Sequence, residues 1–305
     1  MKSKLRQFAE WMRDPMTTSR HINRRIHTRN GRYEFNPSGT AIFDEDWDNL
    51  IVLDACRYDA FKEQVDLPGR LESRESLGPA TYRWVRGNFA DRKLYDTVYV
   101  GANTWYLKLR DEINSDIHAF IDLQNDVDDV NWVSEKLRVV TPDTVTKKTK
   151  RVSEAYPNKR LIIHYLQPHH PFIGPTSEKY FDHRSDSLFE VVRSSGPEVT
   201  AKKVWKAYNE TLNIVLEEIS VLLSDLEGKT VVTADHGEMI GDRHDYLPTK
   251  DYGHHRGIYN DPTIKVPWQV IESGSRKEIQ AEKSDSKDTD MVRIDKQLRD
   301  LGYKL

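Results

Sequence analysis

The chain has 305 residues, of which 37% are hydrophobic and 31% charged, and its formal net charge is −3. A chain of this length can bury a sizeable core, and the composition is typical of a globular protein with a charged surface. No apolar run approaches the roughly 20 residues that a membrane-spanning helix needs, and the small negative charge gives no overall attraction to nucleic acid. The single cysteine, Cys56, excludes an internal disulfide and a thiolate-cluster metal site. Without the apolar stretch of a secretory signal, we expect a cytoplasmic protein.

The first 32 residues are strongly basic, with nine Lys or Arg against two acidic residues. Four apolar residues before Pro15 have helical spacing: Leu5, Phe8, Ala9 and Met12. This pattern predicts a short amphipathic helix, which could lie on the anionic inner surface of a membrane or pack on the domain with its basic face in solvent. These charges form no recognisable nucleic-acid-binding motif and the body of the chain is acidic, so we expect no nucleic-acid partner. We treat residues 1–40 as a basic N-terminal segment.

The first predicted strand, Asn49–Leu53, ends directly in Asp54. Further along the chain, Gly78 and Pro79 predict a turn just before Thr81 and a predicted helix. Thr81 is therefore either a helix N-cap or a hydroxyl presented where a helix N-terminus would favour an anion.

Another predicted strand, Leu161–Leu166, leads into two histidines that stand between prolines, His169 and His170. Prolines on both sides keep the backbone extended, so at least one imidazole should be displayed at the strand's end. His164 lies inside the strand and is expected to be a buried core histidine. A long helix with one apolar face, within 200–225, then leads back to the sheet.

The stretch Thr230–Ala234 predicts a buried strand that is followed by Asp235 and His236. A carboxylate oxygen beside an imidazole nitrogen supplies half of a metal site, although a surface Asp–His pair is the alternative. Because the carboxyl ends of parallel strands meet at one edge of a sheet, Asp54 and Asp235 should lie close together if their strands are neighbours.

The last part of the chain holds a second histidine pair, His254 and His255, and a final strand preceded by Lys265. Residues 273–290 are highly charged and predict a flexible linker, and residues 291–305 predict a closing helix. The sequence thus divides into the basic segment 1–40, a catalytic domain at 41–272, and a linker with a C-terminal helix at 273–305.

Strands alternating with helices predict an α/β fold with a mostly parallel central sheet and helices on both faces. Six oxygen or imidazole side chains fall near strand ends or turns: Asp54, Thr81, His169, Asp235, His236 and His254. A divalent metal held by carboxylates and an imidazole would activate a hydroxyl and neutralise charge on a transferred phosphoryl or sulfuryl group. The remaining imidazoles and Lys265 could protonate a leaving group or hold anionic oxygens.

Five stretches, in this order, carry a resemblance: VLDACRYDAF, SLGPATYRW, HYLQPHHPF, VVTADHGEMIGD and GHHRGIYNDPTIKVPW. Together they resemble the sulfatase-like branch of the alkaline phosphatase superfamily, over residues 44–305. The resemblance implies an alkaline phosphatase-like fold in which Asp54, Asp235 and His236 bind the metal. It also implies that Thr81 is the nucleophile and a further ligand.

The same resemblance implies that His169 and His254 face the transferred group and that Lys265 contacts an anion. Mn, Zn, Mg and Ca all remain compatible with such a site. A second metal between the two histidines would need another carboxylate, which the sequence does not place. Formylglycine sulfatases of the branch carry a Cys-x-Pro-Ser-Arg type motif, which does not follow Cys56.

The sequence therefore predicts a metal-dependent hydrolase or transferase of phosphate esters, of phosphodiesterase or phosphotransferase type, with a threonine nucleophile. A sulfuric ester hydrolase is one alternative. A non-catalytic binder of anionic glycan or lipid head groups is another. The expected partner is a phosphate- or sulfate-ester small molecule, glycan or lipid head group, and the sequence leaves the oligomeric state open.

Overall fold

A computed structural model describes residues 15–29, 35–124, 130–134, 136–137, 139–181, 187–196, 198–283 and 288–289. The amphipathic helix predicted before Pro15 and the closing helix predicted at 291–305 lie outside these residues.

The described chain contains twelve strands. In chain order they are β1 (Asn49–Asp54), β2 (Arg70–Glu75), β3 (Lys93–Gly101), β4 (Asp116–Asp122), β5 (Trp132–Ser134), β6 (Val139–Val140), β7 (Arg160–Pro168), β8 (Gly228–Ala234), β9 (Met239–Arg243), β10 (Lys250–Gly253), β11 (Lys265–Ser273) and β12 (Asp288–Thr289). Eight of them form one sheet in the order β12-β4-β3-β7-β1-β8-β11-β2. Pairs from β12 to β8 are parallel, whereas β11 runs antiparallel to both of its neighbours. Strands β5 and β6 form one small hairpin sheet and β9 and β10 another.

Nine α-helices connect or cover these strands within the described residues. They are α1 (Pro15–Arg29), α2 (Tyr58–Gln64), α3 (Thr81–Phe89), α4 (Trp105–Leu109), α5 (Pro142–Ala155), α6 (Pro175–Tyr180), α7 (Leu188–Ser194), α8 (Ala201–Leu223) and α9 (Asp261–Ile264). A single 3₁₀ turn, Ile42–Asp44, precedes β1.

Strand β1 lies in the middle of the sheet, and its six residues are buried. Alternate side chains point to opposite faces. Ile51 and Leu53 join one apolar cluster with residues of α2, α5 and α8, while Leu50 and Val52 join a second cluster with residues of α3 and α4. Helices therefore cover both faces of a mostly parallel sheet, which confirms the fold class predicted from the sequence.

The neighbours of β1 fix where the chemistry can lie. Asn49 is in register with Leu161 of β7 and with Thr230 of β8. Asp54 comes into register with Pro168 after a local irregularity. The carboxyl ends of three adjacent parallel strands thus meet at one edge, and ligands bind at such edges in open α/β sheets.

The described residues before position 41 and after position 272 make specific contacts with the domain between them. On α1, the Ser19 hydroxyl donates to the Leu247 carbonyl at 2.9 Å, and Arg20 pairs with Asp251. In the charged segment after β11, the Lys277 ammonium donates to Asn49 Oδ1 at 2.7 Å. The division into three segments stays a prediction. No helix in the described ranges combines the length and the hydropathy that crossing a membrane requires.

Candidate active site

A cavity of about 400 Å³ opens at the carboxyl ends of β1 and β7. Its wall includes Asp54, Thr81, His169, Glu238 and His254. Four of the residues predicted from the sequence as site residues therefore line one cavity. Asp235 and His236 adjoin this wall, since His236 contacts Asp54 and Thr81, and Asp235 contacts His236.

Three buried oxygen groups converge on the ring of His236. Its Nε2 atom lies 3.3 Å from Thr81 Oγ1, 3.3 Å from Asp235 Oδ2 and 3.5 Å from Asp54 Oδ1. Ligand atoms of a tetrahedral zinc site with bonds of about 2.0–2.1 Å are about 3.3–3.4 Å apart. The spacing and the mixed oxygen–nitrogen chemistry both fit one divalent cation. Within the described chain, Asp54 Oδ1 and Asp235 Oδ2 have no hydrogen-bond partner.

Backbone contacts orient the Asp235–His236 pair. Asp235 Oδ1 accepts from the backbone N–H groups of Ala55, at 3.1 Å, and of His236, at 2.8 Å, which leaves Oδ2 for a cation. His236 Nδ1 lies 2.8 Å from the Gly237 carbonyl, so Nδ1 carries the proton and Nε2 offers a lone pair. Ala55 adopts a left-handed φ of 60°, and this strained turn brings its N–H group to Asp235.

Thr81 is the first residue of α3, and Ala80 is the extended N-cap residue before it. The hydroxyl is thus directed to His236 and not to a cap of its own helix, contrary to the simpler alternative from the sequence. Gly78 makes this turn possible, because a Cβ at that position would lie 2.3 Å from Arg83 Cβ in the first turn of α3.

Burial and neighbouring charges disfavour the ionised form of Asp54. Burial raises the pKa of Asp54, and the charges of Asp235 and Glu238 raise it further, while a hydrogen bond from Asn103 lowers it. That bond joins Asn103 Nδ2 to Asp54 Oδ2 at 2.9 Å. Burial also lowers the pKa of His236, which keeps its imidazole neutral. A bound divalent cation would remove the cost of the paired carboxylates and accept the neutral imidazole as a ligand.

His164 is more than the core histidine expected from the sequence. Its Nδ1 contacts the Tyr99 hydroxyl at 2.5 Å, whereas its Nε2 has no hydrogen-bond partner in the described chain. Ligand atoms of His164, Asp54 and Asp235 lie within 4.8 Å of one another. Burial lowers the pKa of His164 to about 4. The neutral imidazole of His164 therefore lies close to the carboxylates of Asp54 and Asp235.

A second cluster joins His169, His254 and Glu238, whose ligand atoms also lie within 4.8 Å of one another. His254 Nδ1 is 3.1 Å from Glu238 Oε1, and the His254 ring centroid is 4.2 Å from that of His236. Glu238 is the carboxylate that the sequence analysis did not place. The TADHGE motif contains it, but only the turn at Gly237 brings it to the histidines.

The other member of each histidine pair also lines the cavity but makes different contacts. His170 is buried, and its ring packs edge-on against Phe172 at 5.3 Å. His255 Nε2 lies 3.1 Å from Asp251 Oδ2. His169 and His254, with ring centroids 5.1 Å apart, are thus the pair that the structure brings together. Burial lowers the pKa of His169.

Lys265 is the one predicted site residue that the structure does not bring to this cavity. Its ammonium lies 5.3 Å from the centroid of the Tyr58 ring and lines a separate cavity of about 490 Å³. The expectation that it contacts the transferred group is corrected accordingly. The side chain is exposed at the start of β11 and extends over α2, away from Thr81.

Arg57 is a further residue that the sequence did not assign to the site. Its Nη1 donates to the Glu238 carbonyl at 2.9 Å and to Asp242 Oδ2 at 2.6 Å, and its Nε donates to Asp59 at 2.9 Å. The guanidinium lies 4.6 Å from the Trp205 ring centroid. Buried and multiply bonded, it fixes the loop that carries Glu238.

The fold and this geometry can be compared with known proteins. No family model and no curated protein matches the chain. Solved structures similar to it include the soluble domain of lipooligosaccharide phosphoethanolamine transferase A from Neisseria meningitidis, at 13% identity and a TM-score of 0.48, covering 73% of this chain and 75% of that one. Of the integral membrane form of that enzyme, the chain spans 49%.

Two further similar structures are the periplasmic domain of phosphoethanolamine transferase EptC from Campylobacter jejuni and a protein in the alkaline phosphatase superfamily from Vibrio parahaemolyticus. The first has 14% identity and a TM-score of 0.46, covering 73% of this chain and 78% of that one. The second has 12% identity and a TM-score of 0.43, covering 83% and 65%. Sulfatases and a zinc complex of EptC from Escherichia coli are also similar. These structures come from the superfamily that the sequence motifs resemble.

The comparison corrects the cellular location predicted from the sequence. The EptC domains among the similar structures are periplasmic, and they do not support the expectation of a cytoplasmic protein that could lie at the inner membrane surface. The physical reason is that composition and one cysteine describe the chemistry of the chain, which is the same on either side of a membrane.

Proposed function

We propose that this protein is a metal-dependent enzyme that transfers the phosphoryl group of a phosphate ester to Thr81 and then to water or an acceptor alcohol. The observation that supports it is the position of the Thr81 hydroxyl, 3.3 Å from His236 Nε2 and on the wall of the cavity. A structural threonine at a helix start would cap its own helix, and this one does not.

One divalent cation would be held by Asp54, Thr81, Asp235 and His236. When bound, it would lower the pKa of the threonine hydroxyl and offset the negative charge of the transferred group. The metal's identity is left to experiment, because carboxylate, hydroxyl and imidazole ligands suit several divalent ions.

Two residues act in the first step, Thr81 as the nucleophile and His254 as the general acid. The Thr81 hydroxyl gives its proton to solvent, and its oxygen attacks phosphorus. The Oγ–P bond forms as the bond from phosphorus to the ester oxygen breaks. His254, held by Glu238, donates a proton to the departing alkoxide, so the alcohol leaves neutral.

The second step reverses these roles. His254, now neutral, takes a proton from water or from an acceptor alcohol, whose oxygen attacks the phosphorus of phospho-Thr81. The bond from phosphorus to the Thr81 oxygen then breaks, this oxygen takes a proton back from solvent, and the enzyme returns to its first state. His169 borders the same space, and its lowered pKa keeps it a neutral hydrogen-bond partner for the transferred group.

The environment of Cys56 supports a phosphate ester as the substrate over a sulfate ester. A formylglycine sulfatase needs an oxidised cysteine open to the substrate, but Cys56 is fully buried and burial raises the pKa of its thiol. Its sulfur is directed to the Arg57 carbonyl, at 3.8 Å.

The test measures initial rates on p-nitrophenyl phosphate, bis-p-nitrophenyl phosphate and p-nitrophenyl sulfate after metal reconstitution. We expect turnover of a phosphate ester that Thr81→Ala abolishes, Thr81→Ser retains in part, and the remote control Thr249→Ala leaves unchanged. Metal analysis should find the ion still bound to Thr81→Ala through the other three ligands. Full activity of Thr81→Ala, or a preference for the sulfate, would overturn the proposal.

A further inference from the structure

We infer that the organic part of the ester, next to the transferred phosphoryl group, carries a second negative charge, such as a further phosphate, a sulfate or a carboxylate. This inference rests on the proposed function and names the substrate class of the same site. It comes from a group of aromatic and cationic side chains that borders the cavity on the side of Thr81.

Two half-buried aromatic rings form the base of this group. Tyr82 directly follows Thr81, and its ring meets that of Trp105 edge-on, with centroids 5.5 Å apart and planes at 78°. Trp105 lines the cavity that holds Thr81 and Asp54. An organic group bound in this cavity can therefore contact Trp105.

Cations surround the two rings. The Arg256 guanidinium lies 4.4 Å from the Tyr82 centroid and 5.5 Å from that of Trp105. The Lys108 ammonium lies 5.1 Å from the Trp105 centroid, and Lys108 lines the cavity. Contact with aromatic faces holds a cation in place and leaves its charge open to a further partner.

Carboxylates balance only part of the charge of this group within the described residues. Arg86, 5.4 Å from the Tyr82 centroid, pairs with Glu112 at 2.6 Å. Within the described chain, neither Arg256 nor Lys108 forms an ion pair with an acidic side chain, and both are exposed. A pair of exposed cations beside a reaction centre attracts an anionic ligand, and the attraction is screened by salt.

Acidic residues among the described cavity lining are confined to the reaction centre. They are Asp54 and Glu238, which the proposed function engages with the metal and with His254. Among the described residues, an ester with a terminal ammonium would therefore meet the cations of Arg256 and Lys108 and no further carboxylate. This arrangement of charges favours a substrate with an anionic organic part over one with a cationic organic part.

The experiment uses three alkyl p-nitrophenyl phosphodiesters of equal chain length, ending in a carboxylate, a methyl or an ammonium group. With the full-length, metal-reconstituted protein at low salt, we expect kcat/KM to be about tenfold higher for the carboxylate than for the methyl ester, and lowest for the ammonium ester. The double variant Lys108→Met/Arg256→Met should lose this order, so that its kcat/KM is similar for the three esters. The matched control Lys62→Met/Arg25→Met removes two exposed cations elsewhere and should keep the order.

Direct binding separates failure of this inference from failure of the proposed function. Calorimetry with metal-loaded Thr81→Ala measures affinity for the carboxylate and methyl esters without turnover. Tighter binding of the carboxylate ester that the double variant loses would support the inference even if no ester were hydrolysed. Equal affinity for the two esters, or a preference that survives in the double variant, would overturn it while leaving Thr81-dependent turnover unaffected.

Discussion

The guanidinium of Arg20 on α1 donates two hydrogen bonds to the carboxylate of Asp251, at 2.9 Å from Nε and at 2.7 Å from Nη2. Asp251 is fully buried and also contacts His244 and His255, of which His255 lines the cavity. Burial raises the pKa of Asp251, but hydrogen bonds from His244, His255 and Arg20 more than reverse this effect and hold the pKa well below its usual range. Helix α1 is thus connected to the wall of the cavity through the buried carboxylate of Asp251.

Replacing Arg20 should therefore destabilise the protein. Arg20→Met leaves Asp251 buried without its permanent cation, and removing one partner of a buried ion pair costs about 3 kcal/mol. Urea denaturation would measure the free energy of unfolding. Arg25→Met, an exposed charge on the same helix, is the control and should change it by less than about 0.5 kcal/mol. Equal losses in the two variants would show that the Asp251 contact contributes nothing specific.

Arg57 should act on catalysis by positioning. Arg57→Lys keeps a charge but loses the fork that reaches the Glu238 carbonyl and Asp242, so kcat should fall about tenfold with the metal content unchanged. Asp59→Asn removes only the more exposed partner and should keep most of the activity. Steady-state kinetics, measured together with the metal content, distinguishes a loss of positioning from a loss of metal. A lysine variant with the wild-type kcat would exclude a positioning role.

Asp54→Asn should change stability in opposite directions with and without metal. In the metal-free protein it removes a buried carboxylate whose pKa is raised by burial and by Asp235, so the melting temperature should increase. In the presence of excess Zn²⁺ or Mn²⁺ it should lose most of the stabilisation that the wild type gains from the ion. Thermal unfolding with and without metal tests both halves. A wild-type melting temperature that does not respond to metal would contradict this account.

Glu238→Gln should affect proton transfer and leave metal binding intact. The amide cannot hold His254 as the carboxylate does at 3.1 Å, so kcat should fall about a hundredfold while one ion per chain remains. The fall should be smaller for esters with a better leaving group, which needs less protonation. Loss of a second ion from the variant would instead assign the His169–Glu238–His254 cluster to metal binding.

Lys277 should make stability increase in alkaline solution. Burial lowers the pKa of Lys277 to about 8 in the folded chain, so between about pH 8 and pH 10.5 the unfolded chain binds more protons. The free energy of unfolding should therefore rise with pH through this window, by about 2 kcal/mol from this residue. Lys277→Met should lack that rise. The informative quantity is the difference between wild type and variant at the two ends of the window, because other titrations cancel there. A difference that does not change with pH would rule out the effect.

Much of the arrangement follows from local sequence pattern. A β-branched strand that ends in a carboxylate recurs at Asp54 and at Asp235, and adjacency in a parallel sheet then brings the two carboxylates together. Gly78 and Gly237 mark the turns that aim Thr81 and His236, because no side chain fits at either position. Patterns of this kind predict positions along the chain well, since each depends on a few neighbouring residues.

Other features depend on contacts between distant segments, which no local pattern encodes. Asn103 reaches Asp54, and Arg57 reaches Asp242, only after the strands have paired. Lys265 shows the opposite case: its position before a strand is predicted correctly, but the strand runs antiparallel and its exposed side chain extends over Tyr58. The direction of a side chain at a sheet edge is thus set by tertiary packing.

The cluster of Asp54, Thr81, Asp235 and His236 comes from three separate stretches of chain, and the hydrogen-bonded pair Thr81 and His236 is 155 positions apart in sequence. An ion bound there would fasten the ends of β1 and β8 to the start of α3 as a clasp does. Partial unfolding of any one stretch would release it. Ion retention therefore serves as a gauge of the intact domain: a proteolytic fragment or a damaged preparation should lose its metal before it loses most of its secondary structure.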